Sequence, residues 1–212
     1  FISERSDYLI TTSDKLKKAL IGSFNLDESR VFRIHGGVSL AGNLPDKEEA
    51  RRKLSIPADK KIIGYMGFFR AIEMEKGLKT MILSLPYLDR NVNILLVGGK
   101  ESEIAEYGKL AESLGGRERC IFSGKKSQEE LALYEAACDA LAIPYPDQPH
   151  FRDFGFPMKV YEYMASKRPI IYSKLELVEE VIGDCAMPFT PDNPEDFARA
   201  VREVLSDNQK WT

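Results

Sequence analysis

From about residue 60 onward the chain alternates short, mainly apolar runs with segments whose apolar positions recur at helical spacing. The apolar runs are Ile62 to Phe68, Asn93 to Val97, Arg119 to Phe122, Ala140 to Ile143, Pro169 to Tyr172 and Cys185 to Phe189. Each is of strand length and bounded by turn residues, and none alternates with polar residues, so each reads as a strand covered on both faces. Between them Leu78, Met81, Ile82 and Leu85 form one helical stripe, and Ile104, Tyr107, Leu110, Ala111 and Leu114 form another. Ser127 with Glu130 makes a capping box, and Asn193 before Pro194 supplies a cap and a first-turn proline ahead of Phe197, Val201, Val204 and Leu205. Strands that alternate with helices predict βαβ units and an α/β fold: a doubly wound, Rossmann-like parallel sheet.

The first sixty residues follow another pattern. A strand over Tyr8 to Thr11, a helix capped by Ser13 and running through Leu20, and a strand over Val31 to Ile34 precede a polar stretch, Asn43 to Arg52, that reads as a linker. A boundary is therefore expected near residue 40, with 1–40 the tail of a preceding domain and its hinge and 41–212 the main domain. The start at Phe1, without an initiator methionine or signal pattern, suggests a piece of something longer.

Composition narrows the choice of partner. The 212 residues carry 30 basic and 33 acidic side chains, a formal net charge of −3, so no general positive field exists to hold nucleic acid and any anion site must be local. Nothing indicates contact with a membrane: no stretch approaches the ~18 apolar residues of a span. The 3 cysteines, Cys120, Cys138 and Cys185, form no metal-ligand pattern with His35 and His150, and a reduced, cytoplasmic setting is expected.

Ligands of open parallel sheets bind beyond the carboxyl ends of the strands. Two loops there stand out: Gly67-Phe68-Phe69-Arg70, leading through acidic residues to Lys76-Gly77, and Phe154-Gly155-Phe156-Pro157-Met158-Lys159. A lysine in or beside a helix's first turn opposes the helix dipole unless an anion offsets it, and both loops carry one. Lys159 and Glu162, three apart, read equally as a surface ion pair or as a site where amides and lysine meet phosphate while Glu162 accepts two ribose hydroxyls. Spacing alone leaves both readings open. Gly98-Gly99-Lys100-Glu101-Ser102 lacks the spacing of a P-loop, and Gly64-x-x-Gly67 is too short for a dinucleotide fingerprint.

An ordered set of segments resembles the retaining family 4 glycosyltransferases, which have the two-domain GT-B fold. His35-Gly36-Gly37-Val38-Ser39 is similar to the family's hinge, Gly67 through Lys76-Gly77 to its phosphate-binding turn, and Phe122-Ser123-Gly124 to a later loop. The most specific segment is Pro157-Met158-Lys159-Val160-Tyr161-Glu162-Tyr163-Met164-Ala165 followed by Arg168-Pro169, which resembles the donor-site helix.

The resemblance implies the donor-binding, C-terminal half of a glycosyltransferase that takes a sugar from a nucleotide-diphosphate sugar. Lys76 and Arg70 would neutralise the diphosphate, Glu162 would hold the ribose, and Gly124, Lys125 and Lys126 would lie against the base. The loop at Gly155, Phe156, Pro157 and Met158, with Lys159 beside it, would face the distal phosphate or sugar. The acceptor, a glycan or lipid, would bind chiefly to an N-terminal domain, and these residues alone would bind donor yet transfer poorly or not at all. Lysine in the charge-neutralising role implies no metal and no cofactor beyond the donor. The family's first paired glutamate corresponds to Phe154, and its arginine after the turn glycine to Phe68. Two alternatives remain: a non-catalytic nucleotide-sugar module and a GT-B sugar-nucleotide epimerase.

Overall fold

The computed structural model describes residues 5–39, 45–71, 74–155 and 158–207. Six strands form one parallel sheet: β3 (Lys61–Met66), β6 (Val92–Val97), β7 (Cys120–Gly124), β8 (Ala140–Ile143), β9 (Ile170–Ser173) and β10 (Met187–Phe189). Their spatial order is β10-β9-β8-β3-β6-β7, with every pairing parallel. The chain thus builds outward from β3 to β7, returns to the other side of β3, and builds outward again. That reversal between β3 and β8 is the topological switch point of a doubly wound sheet, where a crevice opens at the carboxyl edge.

The six apolar runs are these six strands, with ends displaced by at most two residues. Within β3, Ile63 and Tyr65 belong to one core and Ile62 and Met66 to the other, which is why no polar alternation marks the strand in sequence. The first core is closed by α3 (Leu78–Leu83), α4 (Glu101–Ser113) and α8 (Pro194–Ser206). The second is closed by α2 (Lys47–Lys53), α5 (Gln128–Ala136), α6 (Met158–Ala165) and α7 (Glu176–Ile182). Both helix starts read from sequence hold: Ser127 Oγ accepts from the Glu130 amide while Glu130 accepts from the Ser127 amide, and Asn193 Oδ1 accepts from the Asp196 amide.

The polar stretch expected to be a linker is in its described part a helix, α2. Asp46 caps it, accepting from the amides of Glu48 and Glu49. What fastens it is charge rather than an apolar stripe. The Arg51 guanidinium, 6% exposed, reaches Asp139 at 2.6 Å, and Lys47 reaches the other Asp139 oxygen at 2.7 Å. The Ile62 amide also donates to Asp139 at 2.7 Å, so this buried carboxylate joins helix to sheet. These interactions hold its pKa below the ordinary carboxylate range in spite of burial, which acts the other way.

The N-terminal segment comprises β1 (Leu9–Thr11), α1 (Asp14–Phe24) and β2 (Val31–Arg33), with β1 and β2 paired in parallel as a separate two-stranded sheet. Ser13 caps α1 as its sequence suggests, accepting from the Leu16 amide. Ion pairs tie the segment to α7 and to the turn before α6: Lys15 with Glu176 and Asp153, and Arg33 with Glu180. The expected boundary near residue 40 falls at the edge of residues 40–44, outside the described residues.

Candidate donor site at the switch point

A pocket of about 580 Å³ opens beyond the carboxyl ends of β3, β6 and β8. Its rim is set by glycines whose backbones must come close. Gly67 ends β3 at φ +133°, and a Cβ there would meet the Lys159 ammonium at 2.8 Å. Gly77 stands at φ +83°, and a Cβ there would meet the Pro144 carbonyl oxygen at 1.5 Å, so no other residue fits where α3 approaches the end of β8. Gly77 offers α3 no side-chain cap. Glu75 replaces it, accepting from the amides of Gly77 and Lys79 at 2.7 and 3.1 Å, and from the Tyr107 hydroxyl.

The two lysines reach the pocket from opposite halves of the sheet. Lys76, in the turn after β5 (Met74–Glu75), is half-buried and makes no ion pair among the described residues; burial lowers its pKa, with Glu162 opposing. Lys159, from α6, has a side chain only 11% exposed and donates to the Met66 carbonyl. It lies 3.7 Å from Glu162 and over the rings of Tyr65 and Tyr163 at 5.2 and 5.3 Å. Burial lowers its pKa too, again with Glu162 opposing. The Met66 amide donates to the Tyr163 hydroxyl at 2.9 Å, so α6 grips both polar groups of the last residue of β3. Lys159 is therefore a fixed, largely dehydrated cation rather than a solvated surface lysine.

Of the residues singled out in sequence, Gly67, Lys76, Lys125, Lys126, Met158, Lys159 and Glu162 line this one pocket. Gly124, at φ +62°, precedes the lysine pair without lining the pocket itself, and Gly155 also stands outside the lining. Phe156 and Pro157 fall outside the described residues.

Arg70 is not brought into the pocket. In the short antiparallel hairpin of β4 (Arg70–Ala71) with β5, its guanidinium turns to both oxygens of Glu106 at 2.7 and 2.8 Å and lines a neighbouring cavity of about 280 Å³. Asp153 likewise faces elsewhere, toward Lys15 at 2.8 Å, and Phe154 is 60% exposed.

Sequence reasoning missed Tyr145, Leu131, Gln128 and Phe68 as lining residues. Tyr145 was within reach, because it follows Pro144 directly after β8 and so obeys the same strand-end rule as Gly67. Phe68, 65% exposed with the Lys125 ammonium 5.9 Å from its ring centroid, had been read as the end of a buried strand.

The site thus offers four lysines and a carboxylate about a crevice with glycine walls. This set can neutralise a diphosphate and accept hydrogen bonds from vicinal hydroxyls. Among the described residues no three His, Cys, Asp or Glu side chains are grouped to hold a metal ion, and no helix is long and apolar enough to cross a membrane.

Comparison with known proteins identifies the fold and the family. Solved structures with the same fold include Anabaena Alr3699/HepE in complex with UDP, at a TM-score of 0.79 and 21% identity over 97% of this chain and 56% of that one. Another is sucrose-phosphate synthase from Thermosynechococcus elongatus, at 0.78 and 24% over 99% and 51%. These likenesses establish the GT-B half-molecule fold. Among curated relatives, a D-inositol 3-phosphate glycosyltransferase of a Nocardioides species is 25% identical over 98% of this chain and 48% of its own length. An uncharacterized glycosyltransferase of Methanocaldococcus jannaschii is 26% identical over 94% and 51%. The chain spans about half the length of these relatives. Residues 46–211 match the family model for glycosyl transferases group 1, and the chain belongs to that family.

Proposed function

We propose that this chain forms the donor half of a glycosyltransferase: it binds a nucleotide-diphosphate sugar and holds it for transfer to an acceptor. The observation that carries the reading is the meeting of Lys76 and Lys159 with Glu162 in one pocket at the switch point. As the bond from sugar to diphosphate breaks, negative charge grows on the leaving nucleoside diphosphate. A dehydrated lysine already in place stabilises that charge without reorganisation. Burial lowers the pKa of both lysines, and an arriving anion opposes that effect. We assign the ribose hydroxyls to Glu162 and the base to the Lys125–Lys126 side of the pocket. The complexes of the Anabaena protein with UDP and UDP-glucose support a uridine donor as the first to test.

Three further parts rest on the resemblance to family 4. Transfer proceeds with retention; lysines, in place of a metal, neutralise the diphosphate; and the acceptor, a glycan or lipid, binds chiefly outside these residues. The half-length match to relatives supports the last. The N-terminal residues 5–39 then serve as the hinge side of the donor domain, in the cytoplasm.

Thermal unfolding with UDP-glucose, GDP-mannose and ADP-glucose tests the reading. At a hundredfold excess over Kd a bound donor adds about 2.7 kcal/mol, which for a domain of this size raises Tm by about 5–10 °C. One of the three is expected to give that rise, and Lys76→Ala and Glu162→Ala to abolish it. No rise with any of them would refute the assignment.

A further inference from the structure

A second cavity, of about 210 Å³, adjoins the donor pocket between α5 and α6 and shares Gln128, Leu131 and Glu162 with it. Glu135 lines this annex one helical turn beyond Leu131, behind Glu162 rather than in the donor pocket. Nothing in the donor-site reading uses it. We propose that Glu135 is a positioning residue for the donor site, which sets the charge around Glu162 and the two lysines so that donor binding takes up a proton.

The groups that face Glu135 come from each element around the annex. From α6 it meets Glu162 and Lys159, and the buried Tyr163 senses its charge; beyond the end of α5, Cys138 does so as well. Glu129, on α5 itself, shares the annex lining, and Lys76 stands on the far side of Glu162. Val38 and Ser39 close the annex and bring no charge. Burial pushes the Glu135 carboxyl up to about 7, Glu162 adds to the rise, and Lys159 opposes it. Glu135 therefore changes charge near neutral pH, next to a carboxylate that must stay ionised to accept ribose hydroxyls.

The sign follows from the neighbouring charges. With Glu135 protonated, Lys76, Lys125, Lys126 and Lys159 outweigh Glu162 and leave a net positive charge for the diphosphate; ionised Glu135 removes one unit of that excess. An arriving diphosphate favours the protonated form and raises the pKa of Glu135 further. Between the free and bound values, binding consumes a proton, and affinity declines as pH rises from about 7. One charge acting across a half-buried site changes the association constant by about three- to tenfold.

This inference rests on the donor-site reading, and calorimetry separates the two. The chain is titrated at pH 6.0, 7.2 and 8.5 with UDP-glucose and with GDP-mannose, whose diphosphates keep constant charge over that range. Buffers of different ionisation enthalpy report proton uptake. The expected result is a three- to tenfold fall in affinity from pH 6.0 to 8.5, with fractional proton uptake at pH 7.2. Glu135→Gln should remove both and bind more tightly than the wild type at pH 8.5. Intact binding with a flat profile and no proton uptake in the wild-type chain would overturn the role of Glu135 alone, as would a variant that keeps the wild-type pH dependence. No binding of either sugar nucleotide at any pH would overturn the donor site and this inference together.

Discussion

Replacing Lys159 by methionine separates a structural clasp from a functional cation. The lysine side chain is 11% exposed, donates to the Met66 carbonyl, and stands 3.7 Å from Glu162. Against those two interactions stands the cost of keeping an ammonium out of water, several kcal/mol for a buried ion. Methionine keeps the length and apolar stem, packs against Tyr65 and Tyr163, and removes that cost. Glu162, 27% exposed, regains water when its partner is lost, unlike the buried Asp139–Arg51 pair, so the unfolding free energy of Lys159→Met should stay within about 1 kcal/mol of the wild type, or rise. Donor binding should suffer instead. Loss of a charge-assisted contact worth about 1.5–3 kcal/mol weakens the association about 10- to 150-fold. Urea unfolding and calorimetric titration with a nucleotide sugar measure the two quantities on one sample. A variant that loses more than about 3 kcal/mol of stability yet keeps wild-type affinity would show that the lysine only fastens α6 to β3.

Three more substitutions probe the frame around the pocket. Asp139→Asn should cost about 3–5 kcal/mol at pH 7, because it leaves the 6%-exposed Arg51 without its counter-charge. The folded pKa of Asp139 lies below its unfolded value, so this stabilisation is fully present above the ordinary carboxylate pKa and is lost as pH falls through the folded one. The gap between wild type and variant should accordingly begin to narrow once the pH falls below the ordinary carboxylate range, as followed by urea midpoints from neutral into acid. Gly77→Ala should cost about 2–5 kcal/mol through left-handed strain plus collision, its Cβ meeting the Pro144 oxygen. Gly124→Ala, at φ +62° but with nothing within 4 Å, should cost only about 1 kcal/mol; equal losses would contradict the close approach of α3 to β8.

What the sequence made legible, and what it concealed, divides along the range of the forces involved. The six central strands could be read because each buries both faces, and the capping boxes because their partners are three residues apart. The first strand reads too long at its end: Gly67 turns the chain away at φ +133°, and the apolar Phe68 that follows is exposed in the pocket rim. Helix α2 was missed because one alanine, Ala50, and an ion pair spanning 88 residues hold it in place of a periodic apolar face. Arg70 shows the same limit in the site. Its partner, Glu106, is 36 residues away, and no local pattern reveals that the guanidinium is already engaged. That Lys76, Lys159 and Glu162 share one pocket is legible because strand ends and helix starts are local features, and the parallel order of the sheet does the rest.

The reversal of the chain at the middle of the sheet has a consequence for assembly. Lys76 is delivered by the half built from β3, β6 and β7, whereas Lys159 and Glu162 come from the half built from β8, β9 and β10. Cutting the polypeptide after Gly124 would yield two pieces that each carry one wall of the crevice and neither of which encloses it. Recovery of nucleotide binding on mixing such pieces would then report that the two halves have docked along the β3–β8 seam, making the ligand a gauge of complementation.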